Sequence, residues 1–577
     1  MNNFGALLLT SLIIITSSCV EKRDLKSNIV VVRLDGSPGG IHPVNGNSAM
    51  QSQIDALTQK SLFSIDLRTE KTIPFLIEEL PTVDSTGLIY TYTLKKGAYW
   101  DNKELLSIED IIFSTKVLLC PLTNNPSSRP IYASIIDSVY RHEYDETKFY
   151  LKTKIKHVNN SEILSLTILQ KSHWDPKRIL NDLSFENVHS AKFKSTIIID
   201  DWFNSFNSSD NAYIPKNIVG LGPYQVEHYK KDNYISLIRK TDWWGDSLRG
   251  HEYDNFPEKI IFKIIKDDAA AYLAIKNQEI DFAEKAGEIS KLLKLQKLDY
   301  FNENYNSTFS PSYIYRYIGL NCKPNIDKQK PLFVDKRVRK AMAHLVNVPD
   351  IMDIITYSKS QRQASIVSPL KASCDTTLKF IEFDVEKAKV LLAEAGWKDT
   401  DNDQILDKVI NGKKIQFSFK LNYISRAIYK EIAFMIKESM KKAGIDMIAN
   451  PLDFNTHYKN AANHEFDAML GGWGGGSGYS DPTQLWSTES WSNKGSNFCG
   501  FGNSYSDSLI YKSNTTLDPE KHLEAFRKLQ KLIYEEQPYI FLWSVSSPMV
   551  THKRFSGTDF YRSKPFVSLG SFRLSTN

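Results

Sequence analysis

The sequence lacks most of the patterns that identify hydrolases and metal-dependent enzymes. It has no CxxC pair and no HExxH segment, so structural zinc and zinc-peptidase functions lack support. A serine hydrolase would need a Gly-x-Ser-x-Gly elbow, which the neighbourhood of Ser477 does not provide. Charges are intermixed, with a net charge of +5, so no segment has the density of a nucleic-acid-binding face. A surface hydrolase that uses paired carboxylates stays open as an alternative, although nothing in the sequence points to it.

Long hydrophobic runs are also missing. The one apolar run near the start, Phe4–Ile15, is too short to span a bilayer and has the length of a signal-peptide core. It ends in Thr16-Ser17-Ser18-Cys19, which resembles a bacterial lipobox, in which Cys19 receives the lipid. We therefore expect a signal peptide over 1–18, a lipidated tether over 19–26, and a membrane-anchored protein outside the cytoplasm. An uncleaved signal or ordinary secretion is the alternative.

Cysteine is scarce, with five residues in the chain. If Cys19 carries the lipid, Cys120, Cys322, Cys374 and Cys499 remain. Outside the cytoplasm these four allow one or two disulfides, whose pairing the sequence does not give.

The 577 residues are too many for one core and predict two or three domains. Alternating strand runs and amphipathic helices, such as that over 386–394, indicate mixed α/β structure. The sequence predicts a helix over 51–63, a strand over 89–94 and a helix that Ser107 caps. Aromatic residues make up 12% of the chain, and its 28 tyrosines suit a polar ligand cleft.

The most informative stretch is Gly471–Trp486, GGWGGGSGYSDPTQLW, which follows an apolar run that predicts a short strand. Its glycines remove side chains where a ligand could approach the backbone, and its aromatic residues supply large faces with polar edges. A flexible linker is the alternative, but linkers are rich in Ser and poor in Trp. The stretch therefore predicts a ligand-binding loop.

Several segments resemble, in the correct order, the bacterial extracellular solute-binding proteins of family 5, the receptors of ABC importers for oligopeptides, dipeptides and nickel. Leu88–Gly97 (LIYTYTLKKG) and Asp101–Ser114 follow the family's signature almost position by position. Val219–Tyr224 (VGLGPY) matches its GTGPY turn, with Leu221 in place of Thr. Further matches are Asp268–Phe282, Asp335–Ile351, Phe383–Trp397 and Glu535–Trp543.

The resemblance implies an α/β, two-lobed periplasmic-binding-protein (Venus-flytrap) fold with an extra α/β domain inserted in the first lobe. The expected boundaries are 27–61, 214–284 and 544–577 for lobe I, 62–213 for the extra domain, and 285–543 for lobe II. It also implies a lipid-anchored, monomeric receptor without a cofactor or catalytic residues. Such a receptor captures short peptides between hinged lobes and delivers them to membrane permease subunits that work with a cytoplasmic ATPase. The alternative within the family is a receptor for a metal chelate, haem or another non-peptide solute.

The expected ligand contacts combine the glycine-rich stretch with Arg426 and His42, which the resemblance places near the cleft. In peptide-binding relatives an Asp four residues before the Pro pairs with the ligand's α-amine, whereas this chain has Gly478 there. Asp481 could substitute for it or could only shape the turn. For a ligand carboxylate the candidate is Arg426, with Arg362 as the weaker one. The predicted ligand-binding residues are Gly472, Trp473, Gly474, Gly475, Tyr479, Asp481, Trp486, Arg426 and His42.

Asp399, Asp401, Asp403 and Asp407 have the alternate spacing of a calcium loop. The position of the required glycine is occupied by Gln404, and that of the bidentate glutamate by Ile410. We therefore expect a solvated acidic turn rather than a metal site.

Overall fold

The computed structural model describes residues 23–46, 48–125, 129–325, 327–493 and 495–575. The predicted signal peptide and lipid-bearing Cys19 lie outside these residues. Among the helices within them, none has the length and apolar character needed to cross a membrane.

One large mixed sheet runs through most of the molecule. From edge to edge its strands are Asp446–Leu452, Ser418–Ile424, Ala468–Trp473, Tyr305–Leu320, Tyr539–His552, Phe282–Ala283, Ile29–Leu34, Lys259–Ile264, Tyr234–Arg239 and Tyr224–Lys230, and Gln361–Arg362 pairs with Tyr539–His552 off this path.

Two long strands at the centre of this sheet connect its halves. Tyr305–Leu320 and Tyr539–His552 pair antiparallel from Tyr305–His552 to Gly319–Tyr539, with register shifts between Pro311 and Tyr317. On one side the pair continues into the strands that contain residues 418–473, and on the other into the strands that contain residues 29–34 and 224–283. The chain thus crosses between the two halves of the sheet through these strands.

A smaller antiparallel sheet has the strand order Thr82–Val83, Ile89–Thr93, Lys148–Thr153 and Ile136–Arg141. The strand predicted over 89–94 is present, as is the helix predicted to start after Ser107. Ser107 caps this helix, Ile108–Leu119, in a reciprocal capping box with Asp110. Tyr92, Trp100 and Phe149 are buried in the core between this sheet and the surrounding helices.

The remaining strands form two-stranded pairs, which are Phe63–Asp66 with Lys71–Pro74, Asp407–Ile410 with Lys413–Gln416, and Phe555–Ser556 with Arg573–Leu574.

Helices cover the sheets. The α-helices of the described residues are Ala49–Thr58, Ile108–Leu119, Arg129–Ile135, Lys171–Trp174, Phe185–His189, Ile197–Phe206, Asp210–Tyr213, Asp268–Lys276, Ile289–Leu295, Asp299–Asn304, Lys336–His344, Val348–Thr356, Val385–Glu394, Ala427–Lys441, Phe454–Ala462, Thr483–Trp486, Thr488–Ser492, Ser504–Thr515 and Pro519–Glu536. Short 3₁₀ turns are Asn160–Glu162, Ile179–Asp182, Pro215–Asn217, Trp244–Ser247, His251–Tyr253 and Leu569–Ser571.

One sequence-based boundary was wrong. The helix predicted over 51–63 ends at Thr58, and Phe63 begins a strand. The turn between them is fixed by tertiary contacts, because the Thr58 carbonyl accepts a hydrogen bond from the backbone N–H of Gly222 (3.0 Å). The periodicity of the sequence does not contain that contact.

Asp281 ties the first strand to the long central strand. Its side chain is fully buried and is paired with Arg554 (2.7 Å) and Arg23. It also accepts the backbone N–H of Val31 (2.7 Å). A buried carboxylate needs such partners, because an unpaired charge would be strongly destabilising there.

Candidate ligand-binding site

The strand Ala468–Trp473 leads into the glycine-rich stretch and explains its first two glycines. It pairs with the long central strand, with Trp473 opposite Tyr315 and Gly471 opposite Tyr317. A Cβ on Gly471 would lie 2.6 Å from the Tyr317 ring, and one on Gly472 would lie 2.3 Å from an Arg316 nitrogen. These two glycines therefore pack against the central strand, including Gly472, which the sequence assigned to the ligand.

The following segment, Gly474–Asp481, which we call the glycine loop, is different. A Cβ on Gly474, Gly476 or Gly478 would meet no atom within 4 Å. Within the described chain, the backbone N–H groups of residues 474–481 have no hydrogen-bond acceptor. Two of the loop's carbonyls do have partners, since Gly478 accepts from Lys371 (2.7 Å) and Tyr479 from Asn159 (3.4 Å). The loop is thus fixed in place while its N–H groups stay available.

A narrow cavity of about 60 Å³ opens beside the glycine loop. Its walls combine aromatic faces, small polar side chains and loop backbone. The lining residues are Tyr313, Tyr315, Ile366, Val367, Ser368, Lys371, Ser373, Trp473, Gly474, Gly475, Ser480, Asp481, Pro482, Leu485, Trp486 and Phe526. Five of the predicted ligand-binding residues therefore line one cavity, namely Trp473, Gly474, Gly475, Asp481 and Trp486.

A second cavity of about 890 Å³ adjoins the first, and Asp481 lies in the wall of both. One wall comes from the region of the smaller sheet, with Ile135, Lys156 and His157. The opposite wall comes from residues 483–515, which follow the glycine loop. Its volume lies within the range of small-molecule sites, whereas the narrow cavity holds only one chemical group.

The predicted aromatic residues are partly committed to packing. Trp473 stacks on Tyr317 with ring planes 12° apart, and its indole N–H donates to the Tyr539 hydroxyl (3.2 Å). Trp486 is almost fully buried, at 1% exposure. The hydroxyl of Tyr479 bonds to Asn514 (2.8 Å). These contacts orient the cavity wall, and Trp473 retains a half-buried face.

Asp481 is held by its own surroundings. One carboxylate oxygen accepts from the backbone N–H (2.8 Å) and the hydroxyl (2.6 Å) of Thr483, and from Asn514 (2.8 Å). The other oxygen contacts the ring of His157 at 3.2 Å. Burial raises the pKa of Asp481, but these hydrogen bonds outweigh burial and lower the pKa to about 2. Of the two roles considered for Asp481, this geometry favours that of the turn residue, with a bridge to His157 across the larger cavity.

Lys371 is a functional candidate that the sequence reasoning missed. Its ammonium group donates to the Gly478 carbonyl (2.7 Å) and the Ser480 hydroxyl (3.2 Å), and no carboxylate of the described chain forms an ion pair with it. Burial lowers the pKa of Lys371 to about 8, although the nearby Glu70 opposes this shift. No local motif marks this lysine, because only tertiary structure brings it to the glycine loop.

His42 and Arg426 lie apart from these residues. The Nε2 atom of His42 lies 2.9 Å from the Phe206 carbonyl, while its Nδ1 accepts the N–H groups of Val44 and Asn45 (3.1 Å each). Arg426 is exposed at the start of the helix Ala427–Lys441. Neither residue lines the narrow or the larger cavity.

The weaker arginine candidate is also engaged elsewhere. Arg362 pairs with Glu382 (3.2 Å) and lies over the Phe380 ring.

The acidic turn brings three exposed carboxylates together. Carboxylate oxygens of Asp399, Asp401 and Asp403 lie within 4.8 Å of one another, and all three residues are exposed. Lys414 binds Asp401 (2.7 Å) and Asp407 (3.2 Å), so the turn already contains a counter-charge.

Comparison with known proteins places this chain in a family. The family model described as "Bacterial extracellular solute-binding proteins, family 5 Middle" matches residues 71–496. The chain is 26% identical over 538 residues to the oligopeptide-binding protein AppA of Bacillus subtilis, covering 92% of this chain and 89% of that protein.

Solved structures share the fold. The structure of Bacillus subtilis AppA in complex with a nonapeptide matches with a TM-score of 0.72 at 23% identity, covering 95% of this chain and 99% of that one. NikZ from Campylobacter jejuni in complex with Ni(L-His) also matches with a TM-score of 0.72, at 20% identity, covering 95% and 99%. This chain belongs to the bacterial extracellular solute-binding proteins of family 5, a family of two-lobed transport receptors rather than enzymes.

Proposed function

We propose that this protein is an extracytoplasmic receptor that captures short peptides between its two lobes and delivers them to the permease of an ABC importer. Its relative in Bacillus subtilis is named for oligopeptide binding, and the solved structure of that protein contains a nonapeptide. The expected domain division, the lipid anchor on Cys19, the monomeric state and the permease partner with its ATPase are parts of the same proposal.

The observation that carries the proposal is the free backbone of the glycine loop. Eight successive residues, 474–481, offer N–H groups without acceptors in the described chain, beside two adjoining cavities. An extended peptide offers carbonyl oxygens to such donors, as an added strand does. Recognition of this kind depends little on ligand side chains, so one receptor accepts many sequences.

The two cavities suggest how a ligand is placed. The larger one, of about 890 Å³, has room for several residues of a peptide, and the narrow one accepts a single group next to Lys371. We propose that the Lys371 ammonium meets an oxygen of the ligand, a role for which the sequence favoured Arg426. Since the oxygens of Asp481 already accept three hydrogen bonds and contact His157, we propose that Asp481 positions the loop instead of pairing with an amine.

Closure around the ligand would depend on contacts between the proposed extra domain and lobe II. The backbone N–H of Val158 donates to the Asn514 carbonyl (2.8 Å), and His157 contacts Asp481. Near the narrow cavity, the Tyr313 hydroxyl donates to Glu70 (2.6 Å). A ligand that contacts both sides favours the closed arrangement, because only that arrangement offers all the contacts.

Native mass spectrometry of the purified protein tests the proposal. We expect a ladder of bound masses that correspond to short peptides and that disappears on denaturation. Addition of a library of three- to nine-residue peptides should raise the Tm of ligand-free protein.

Two other outcomes would contradict peptide capture. A single non-peptide mass, or a metal complex, would favour the chelate alternative that the nickel–histidine complex of NikZ suggests. An empty protein whose Tm no peptide shifts would also overturn the proposal.

A further inference from the structure

Two of the four described cysteines lie side by side, far apart in sequence. The backbone N–H of Cys322 donates to the carbonyl of Cys499 (2.8 Å). Residues that face each other across neighbouring hydrogen-bonded segments have Cα atoms roughly 4.5–5.5 Å apart. A disulfide requires a Cα separation of about 4.4–6.8 Å, so the backbones are close enough.

The two thiols point to the same place. The Cys322 thiol donates to the Leu320 carbonyl (3.3 Å), and the thiol of Cys499 contacts the backbone of the same residue. The Cys499 sulfur also lies over Gly319, where a Cβ would be only 2.9 Å away. Both sulfur atoms therefore lie against the backbone of residues 319–320, at the end of the long central strand.

The other two cysteines have different surroundings. Cys120 is buried in the core beside the smaller sheet. The thiol of Cys374 faces the Val367 carbonyl at 3.6 Å. Geometry therefore selects one pair out of the possible combinations.

We propose that Cys322 and Cys499 form a disulfide bond in the exported protein, while Cys120 and Cys374 remain thiols. The proposal rests on the extracytoplasmic location that the proposed function includes. Each thiol loses one proton, and the pair loses two electrons to a disulfide oxidant, such as a dithiol–disulfide oxidoreductase or oxidised glutathione. The oxidant's own disulfide is reduced to two thiols.

The bond forms while the chain folds. Burial raises the pKa of Cys322 to about 11 and raises that of Cys499 well above its usual value. The folded, reduced protein therefore contains little of the reactive thiolate at neutral pH. Cys322 lines an open cavity of about 200 Å³, through which it remains the more accessible of the two.

The bond would stabilise the walls of the ligand site. Cys322 follows the long central strand, and Cys499 belongs to the core that contains Trp486 and Tyr539. The ring closed by the bond has roughly 180 residues and includes the glycine loop, and long rings stabilise most in the chain-entropy view.

Alkylation under denaturing conditions, without reduction, tests the pairing. The full chain is exported to an oxidising compartment, or refolded with reduced and oxidised glutathione, and is mapped by peptide mass spectrometry. We expect label on Cys120 and Cys374, and one cross-linked peptide that joins Cys322 to Cys499. Label on all four residues, or a cross-link to Cys120 or Cys374, would overturn the proposal.

Thermal unfolding supplies a second measurement. A reducing agent should lower the Tm of the wild type by about 5 °C or more, whereas the Tm of Cys322→Ser should not change. The matched control Cys374→Ser should respond as the wild type does; equal responses of all three proteins would contradict the bond. Peptide binding is measured separately. A protein that binds peptides but contains no Cys322–Cys499 cross-link would overturn only the disulfide. A cross-linked protein that binds no peptide would overturn only the proposed function.

Discussion

Two glycine-rich stretches of this chain use glycine for opposite reasons. In the turn Val219–Tyr224, a Cβ on Gly220 would lie 2.1 Å from the Thr58 carbonyl oxygen, and one on Gly222 would lie 2.2 Å from that of Leu57. In the glycine loop, a Cβ on Gly474, Gly476 or Gly478 would meet nothing within 4 Å. The first stretch lacks side chains because another backbone occupies their space, and the second leaves space that the protein does not fill.

This difference separates stability from binding. Where backbone fills the space, a side chain would displace the end of the helix Ala49–Thr58. In the glycine loop, where the space is open, the same side chain would affect only the approach of a ligand. Both stretches are rich in glycine, so the sequence does not show which glycines serve packing and which serve binding. Substitutions at these positions distinguish the two roles.

The largest effect is expected at the packed turn. Gly222→Ala should lower the free energy of unfolding by more than about 3 kcal/mol, because backbone atoms rather than a flexible side chain must move. Urea unfolding measures this loss. The control Gly476→Ala should stay within about 0.5 kcal/mol of the wild type. If the two variants unfolded at similar urea concentrations, the proposed difference between the packed turn and the glycine loop would be wrong.

Acid should affect the packed region before it affects the glycine loop. His42 bonds through its carbonyl to Gln51 (2.8 Å), at the start of the helix whose other end touches Gly222. Burial lowers the pKa of His42 to about 4, and protonation would also place a third N–H opposite those of Val44 and Asn45. The unfolded chain takes up the proton near pH 6.5, so stability present above that pH is lost as pH falls toward 4, by up to about 3 kcal/mol.

Urea unfolding between pH 7 and pH 4 measures this slope. In His42→Asn the side-chain oxygen can accept the same N–H groups, and the free energy of unfolding should fall less steeply as the pH falls. Some of the fall should remain, because His552 also has a pKa of about 4. Asp481 should not contribute to this fall. Its pKa is about 2, so the stability that its ionised carboxylate gives the folded protein is lost only below pH 4. An unchanged slope in His42→Asn would contradict this assignment.

The smallest effect in free energy concerns the ligand. Gly474→Val should weaken peptide binding about tenfold, or about 1.4 kcal/mol, while unfolding stays nearly unchanged, because the new side chain enters the narrow cavity. Calorimetric titration with a peptide found by native mass spectrometry measures it. Gly476→Val is the matched comparison and should weaken binding less, since Gly476 lies in the same loop but does not line that cavity. Equal affinities for the two variants would argue against peptide contact at Gly474.

Local sequence patterns anticipated much of the framework. The capping pattern at Ser107 and the strand over 89–93 depend on neighbouring residues, so they are visible in sequence. The ordered family motifs led to the family and to its two-lobed fold, which the comparisons confirm. The helix end at Thr58 was misplaced because Gly222, more than 160 residues away, provides the contact that fixes it.

The sequence by itself determined the family, the mixed α/β class and the location of a glycine loop that could bind a ligand. Only the tertiary structure decided that Gly471 and Gly472 pack on the central strand, that Lys371 reaches the loop, and that His42 is enclosed by the protein. It also selected Cys322 and Cys499 as neighbours. The physical reason is the same in each case: these properties depend on which distant atoms occupy a few ångströms of space, and no local pattern of residues encodes that.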